Sequence, residues 1–266
     1  MNAIAGLMST TVPRALVFVL VLGRVAGLLV FAPLLGSRNL SPRVRAAVAL
    51  ALAAVLTPAL PVGRAVMILD ASRPAALLLS LGLEVALGIV IGLVAEFIFA
   101  AVSLAGQLAG MEMGLGMAGL IDPQTQDRVT AIAQWQALLA MLIFLSVDGH
   151  HLLIRALAES FRTIPPGGAG VGRENVMALM ALAGELFVIS LKIAAPVLVL
   201  ILLVNGAMGA LAKLIPQLNV MVVGFPINVA AGFFILTASQ PFTVRILEQS
   251  FGRLAGSLAG LIGAVH

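Results

Sequence analysis

The sequence predicts an all-α integral membrane protein of about six hydrophobic helices. Three observations carry this. Of 266 residues, 61% are hydrophobic and only 10% charged, where soluble domains carry about 25% charged residues. The mean hydropathy is +1.16. The apolar residues also fall into runs near the ≈ 20 residues that one bilayer crossing needs, separated by short linkers carrying Arg, Lys, Pro and Gly.

The first run reads as a helix starting at Pro13, since proline suits a first helical position. It continues through VFVLVLGRVAGLLVFAPLL with Arg24 at its middle. Arginine is costly in lipid, so Arg24 is expected to face protein or water. The linker GSRNLSPRVR follows with Arg38, Arg43 and Arg45, then a second apolar run from Ala46 to Leu60, ending near Pro58 and Pro61. After Arg64, Asp70 and Arg73, a third run starts near Pro74, carries Glu84 and Glu96, and extends well past one crossing.

That run passes into GQLAGMEMGLGMAGLIDPQTQ, Gly106 to Gln126, around which the chain is organised. Each glycine in a helix interior costs roughly 1 kcal/mol relative to alanine, so the expectation is a flexible or closely packed segment. Methionine can fill an irregular gap and refill it after displacement. Two readings stand: a gate, or a glycine-rich contact between helices. Asp122 reads as an N-cap with Pro123 at N1, opening the fourth helix, which runs through TAIAQWQALLAMLIFLSV to Asp148-Gly149.

A polar continuation carries His150, His151, Arg155, Glu159 and Arg162 up to the break at Pro165-Pro166-Gly167-Gly168. The fifth run starts near Arg173, holds Glu185 and Lys192, and reaches Val204; NGAMGALAKLIPQLNV then carries Lys213. The sixth spans Leu214 to Val244, interrupted at Pro226. The tail RILEQSFGRLAGSLAGLIGAVH reads as amphipathic, with a GxxxG-type series at Gly252, Gly256 and Gly260.

Orientation stays unresolved. In a simple six-span arrangement the linkers Arg38–Arg45 and Arg155–Arg173 fall on opposite sides, yet both are basic, against the rule that cytoplasmic loops collect Lys and Arg. Some segments are therefore expected to be re-entrant or buried in protein. The net charge is +4, but the basic residues are scattered between apolar runs, which argues against nucleic acid. No positively charged stretch precedes the first apolar residues, so no cleavable signal is expected.

The chemistry of sites is sparse. Without cysteine there is neither a disulfide framework nor a thiolate site. Gly114 to Gly119 spells the dinucleotide fingerprint but lacks the strand before it and the acidic residue after it. Walker A and HExxH sequences are absent. His150 and His151, being adjacent, are expected to point apart and make a poor metal pair. No enzyme, cofactor or metal site is expected. Glu84, Glu96, Glu112, Glu185, Lys192 and Lys213 lie within or beside apolar runs, where charge is expensive and paired or functional. One reading makes them the pathway of a small-solute or ion transporter; structural ion pairing is the other.

Three pieces, in order, carry a resemblance: AGQLAGMEMGLGMAGLIDPQTQ, LIFLSVDGHHLLIRALAESFRTIPPG and AAPVLVLILLVNGAMGALAKLIPQLNVMVVGFPI. The chain resembles the FliR/SctT family of type III secretion export-gate proteins over nearly its whole length, and DPQTQ and PQLNV resemble the flagellar branch. The resemblance implies a multi-pass subunit of the bacterial inner membrane, in the flagellar basal body. There it would pass unfolded flagellar proteins through a helical assembly with FliP and FliQ, on which FlhB packs, beside FlhA. It implies hairpins lying largely inside that assembly: a FliP-like part at 1–172, and a FliQ-like hairpin with an amphipathic helix at 173–266.

The family's plug loop falls on the stretch near 106–126, with Gly110, Met111, Glu112, Met113, Gly114, Leu115, Gly116 and Met117 closing the pore. Gln107, Asp122 and Pro123 would anchor it. Pro216, Gln217 and Asn219 join the interface residues. The chain departs from the family at Glu112, where an uncharged polar residue is expected.

Overall fold

The computed structural model describes residues 2–33, 41–60, 74–115, 130–170, 172–215 and 219–263. Asp122, Pro123, Gly116, Met117, Pro216 and Gln217 lie outside them. Among the described residues the regular structure is helical throughout. The helices are α1 (Asn2–Phe31), α2 (Pro42–Leu56), α3 (Pro74–Glu112), α4 (Ala131–Ser146), α5 (Gly149–Thr163), α6 (Arg173–Leu214), α7 (Val220–Ala238) and α8 (Gln240–Gly263), with a 3₁₀ turn at Thr57–Ala59 after α2. Among the described residues, four stretches are long and apolar enough to cross a membrane: Arg14–Phe31, Pro42–Ala59, Pro74–Glu112 and Val176–Leu214. Counting α4 with α5, and α7 with α8, as broken spans gives up to six, matching the expected number.

Several boundaries differ from those expected, each for a local reason. α1 runs through Pro13 rather than starting there; an internal proline removes one backbone hydrogen bond but does not oblige a helix to begin. α2 opens at Pro42, because Ser41 caps it by accepting from the Val44 N–H. Arg43 and Arg45 thus sit in its first turn rather than in a linker. α3 is 39 residues long, about 58 Å at 1.5 Å per residue, against about 30 Å of hydrocarbon. α6 continues past Asn205-Gly206 to Leu214. Pro226 lies inside α7; the break falls instead at Ser239, ahead of Pro241, where the residues before a proline disfavour continued helix.

Packing divides the chain into two compact units: residues 1–97, 148–182 and 252–266, and residues 98–147 and 183–251.

In the first unit α1 and α3 run in the same direction and nearly touch backbone to backbone. A Cβ on Gly27 would strike the Val85 carbonyl, and one on Gly88 would strike the Arg24 carbonyl. At Gly92 it would lie 2.6 Å from the Leu28 carbonyl oxygen. Gly23-x-x-x-Gly27 and Gly88-x-x-x-Gly92 are therefore the two halves of one small-residue contact. Among the described residues the series at Gly252, Gly256 and Gly260 has no such neighbour: a Cβ on any of them would find nothing within 4 Å. The opposite side of α8 is buried at Leu254, Leu258 and Leu261, so its amphipathic reading holds.

In the second unit α3 and α4 form a hairpin, and α6 and α7 another, in which Asn228 Nδ2 donates to Asn205 Oδ1 at 2.9 Å. Phe99, Phe144 and Phe251 make an aromatic triangle with centroids 5.3–5.6 Å apart.

Candidate functional site

The end of α3 is where the sequence places a gate, and helix persists there further than its glycines suggest. Gly106 and Gly110 stay helical because they let α4 come close. A Cβ on Gly106 would lie 2.5 Å from Ala133 Cα, and one on Gly110 2.8 Å from the Thr130 side chain. These two glycines serve packing rather than bending. Thr130 closes the hairpin and caps α4 with one hydroxyl, which donates to the Gly106 carbonyl at 3.2 Å and accepts from the Ala133 N–H at 3.2 Å. Thr130 is thus the N-cap of α4, a role expected at Asp122. Gln107, expected to anchor the segment, donates to Ser103 Oγ one turn earlier in its own helix, at 3.3 Å.

Gly114 stops α3. Its φ is +82°, a left-handed conformation that glycine takes without steric cost. Its N–H donates to the Met111 carbonyl at 2.9 Å. A Cβ at this position would stand 3.1 Å from the Phe225 ring of α7.

The two methionines on either side of Glu112 part company. Met111 is 59% exposed, whereas Met113 is fully enclosed. Met113 packs in an apolar cluster with Ala109, Ile132, Val197, Ile201 and Leu236, flanked by Leu115. Glu112 is exposed, so its charge faces outward from this unit and is not set into the cluster.

The other singled-out charges separate sharply by burial. Glu84 is completely buried, as is Arg24. Their ion pair, Nε to Oε2, measures 2.6 Å. Arg24 also donates to Ser160 Oγ at 3.0 Å and to the Ile164 carbonyl at 3.1 Å. Its guanidinium lies 4.1 Å above the Phe161 ring. The second carboxylate oxygen of Glu84 accepts from the Gly167 N–H at 2.8 Å, in the turn where Gly167 has φ +87°. Arg24 does face protein, as expected, and the cluster fastens α1, α3, α5 and the Pro-Pro-Gly-Gly turn together. Glu96 is half-buried; Glu185, Lys192, Lys213 and Asn219 are exposed. Asn219 accepts from the Val222 N–H at the start of α7.

The histidine pair departs from expectation. The rings of His150 and His151 lie 4.1 Å apart, tilted by 38°, so they do not diverge. Asp148, at φ 56°, brings Oδ1 to 3.1 Å from His151 Nδ1. Donor atoms of the three residues lie within 4.8 Å of one another. Asp148 and His151 are exposed, and all three sit at the positive end of α5, where a cation is disfavoured. Glu159 pairs with Arg162 at 3.2 Å on the surface.

Known proteins match most of the chain. A family model described as bacterial export proteins, family 1, matches residues 15–254. The chain is 31% identical over 242 residues to the flagellar biosynthetic protein FliR of Escherichia coli K12, covering 90% of each chain. It is 34% identical over 151 residues to that of Pectobacterium carotovorum, covering 57% of this chain and 58% of the relative. With that of Bacillus subtilis 168 the identity is 32% over 157 residues, covering 58% and 61%.

Proposed function

The chain belongs to the bacterial export proteins, family 1, and on that premise we propose that it is a core subunit of the flagellar type III protein export gate. It lines the conduit for unfolded flagellar proteins across the bacterial inner membrane, in the flagellar basal body, and keeps that conduit shut at rest. Residues 1–172 act as its FliP-like part and 173–266 as its FliQ-like part. It assembles with FliP and FliQ, with FlhB packed on them and FlhA beside them. It moves protein without catalysing a reaction, and energy comes from other subunits and the membrane potential.

One observation supports the gate reading above others: the last turn of α3. Met113 is locked into an apolar cluster while Met111, two residues earlier, is exposed. A segment anchored on one side and presenting a soft apolar side chain on the other has the form of a hydrophobic constriction, which gates by excluding water. The outward-facing large side chains fit an assembly too. Leu202, Phe233 and Phe234 are each more than 45% exposed, apolar surface that other subunits or lipid must cover.

Native mass spectrometry of the protein released gently from its own membranes tests this reading. The expected result is a large complex holding one copy of this chain and several copies of two small hydrophobic partners. A monomer or homodimer, under conditions that preserve known membrane complexes, would favour a small-solute or ion transporter. That alternative would need Glu96 and Lys213, of which Glu96 is half-buried and Lys213 lies on the surface of the chain.

A further inference from the structure

We propose that Gly232 of α7 is the seat that holds the gate segment closed, with Met113 as the side chain that occupies it, so that opening requires Met113 to leave. The proposal rests on the reading of the α3 end as a gate, and it assigns the residue that positions it.

Gly232 has no side chain where a neighbour needs the space. A Cβ built there would overlap Met113 Cγ and lie 2.6 Å from both its Sδ and its Cε. All the side-chain atoms beyond the Met113 Cβ therefore run across one residue of α7. Alanine at 232 would displace the whole methionine, not just its tip. Ala231 and Ile235 wall the same spot.

A second contact lies on the same face of the helix. Phe225 precedes Gly232 by seven residues, two helical turns, and its ring backs Gly114. One stripe of α7 thus receives two consecutive residues of the segment, Met113 in a notch and Gly114 against a ring. Gly114 ends α3 with φ +82°, so the seat grips the chain where the helix stops.

The chemistry suits a reversible catch. Methionine is unbranched, with three rotatable bonds; it can withdraw and reseat where a branched side chain would jam. The contact is apolar, with no hydrogen bond to break. Met111 is 59% exposed and is left free for the constriction.

The chain has no cysteine, so an introduced pair is unambiguous. In Met113→Cys/Gly232→Cys, the residue at 113 gives up the Sδ and Cε that a Cβ at 232 would meet and keeps a single γ atom, the sulfur that is to pair, which makes the double variant less crowded than Gly232→Cys alone. The variant is expressed as full chain in the intact export complex. Under reducing conditions it is expected to export flagellar protein. On oxidation both thiols should become protected from maleimide together, and export should be lost until a reductant is added. Each single variant should ignore the oxidant. Thiols that never pair would overturn the seat; pairing without loss of export would overturn its role as a catch.

Should the reduced double variant not export, Gly232→Ala is read instead. It is expected to raise ion leak across the membrane several-fold, and an unchanged leak would overturn the proposal. The gate reading itself is judged separately, by the leak of a chain lacking Gly110–Leu115, whose outcome does not depend on Gly232.

Discussion

Arg24 and Glu84 form an ion pair at 2.6 Å in which neither side chain has any exposed surface. Hydrogen-bond partners and a ring surround the pair. Ser160 and the Ile164 carbonyl each accept from one of the two Nη groups, Gly167 supplies a backbone N–H to the other carboxylate oxygen, and Phe161 lies beneath the cation. Removing one partner of such a pair costs far more than the intact pair contributes, because a bare charge stays buried.

Glu84→Gln is accordingly expected to destabilise the protein by about 3–5 kcal/mol, seen as a lower unfolding temperature in detergent. Arg24→Met combined with Glu84→Gln should lose less than Arg24→Met alone, since the double variant leaves no uncompensated charge. A double variant no better than the single would show that the pair is not coupled.

Gly88→Ala places a methyl group against the Arg24 carbonyl and should push α1 from α3 at a cost of about 1–3 kcal/mol, as overpacking does. Gly82, six residues earlier on α3, is exposed and a Cβ there meets nothing within 4 Å. Gly82→Ala should therefore be neutral or stabilising by up to about 1 kcal/mol. Unfolding of the two variants side by side, in one detergent, checks the contrast.

Thr130→Ala removes both the cap of α4 and the hydroxyl that donates to the Gly106 carbonyl. A loss of about 1 kcal/mol or somewhat more is expected, with most of it recovered in Thr130→Ser. Hydrogen exchange at the first turn of α4 reports it. Equal exchange in all three proteins would contradict the cap.

Gly114→Ala forces a side chain into a left-handed conformation, which costs roughly 1–2 kcal/mol, and towards the Phe225 ring as well. The change should loosen the end of α3 and raise ion leak. Gly110→Ala should act differently, by prying α3 from Thr130, so proteolysis should find new cuts near residue 130.

Much of the helical plan was legible in the residues, because apolar runs and Pro or Gly punctuation report burial and backbone freedom directly. Arg24 announced that it needed a partner, and Glu84 was marked as a costly charge. Their pairing was not legible: it depends on α1 and α3 running in the same direction 60 residues apart. A GxxxG pattern says that close approach is permitted, not that it happens. Gly252, Gly256 and Gly260 show the pattern and meet none of the described residues, while Gly23/Gly27 and Gly88/Gly92 carry the contact. Met111 and Met113 look alike in sequence, and only the path of α7 decides that one is enclosed. Thr130 was readable as an N-cap, being a threonine ahead of an apolar run, but Asp122-Pro123 offered a stronger signal earlier in the chain.

The central claim is that the end of α3 closes a conduit, and ion retention tests it most directly. Cells carrying the export complex with Gly110–Leu115 deleted from this chain should lose membrane potential and admit small ions that wild-type cells exclude, while the complex still assembles. An assembled complex that retains ions as the wild type does would contradict the account, and the end of α3 would then be helix packing alone.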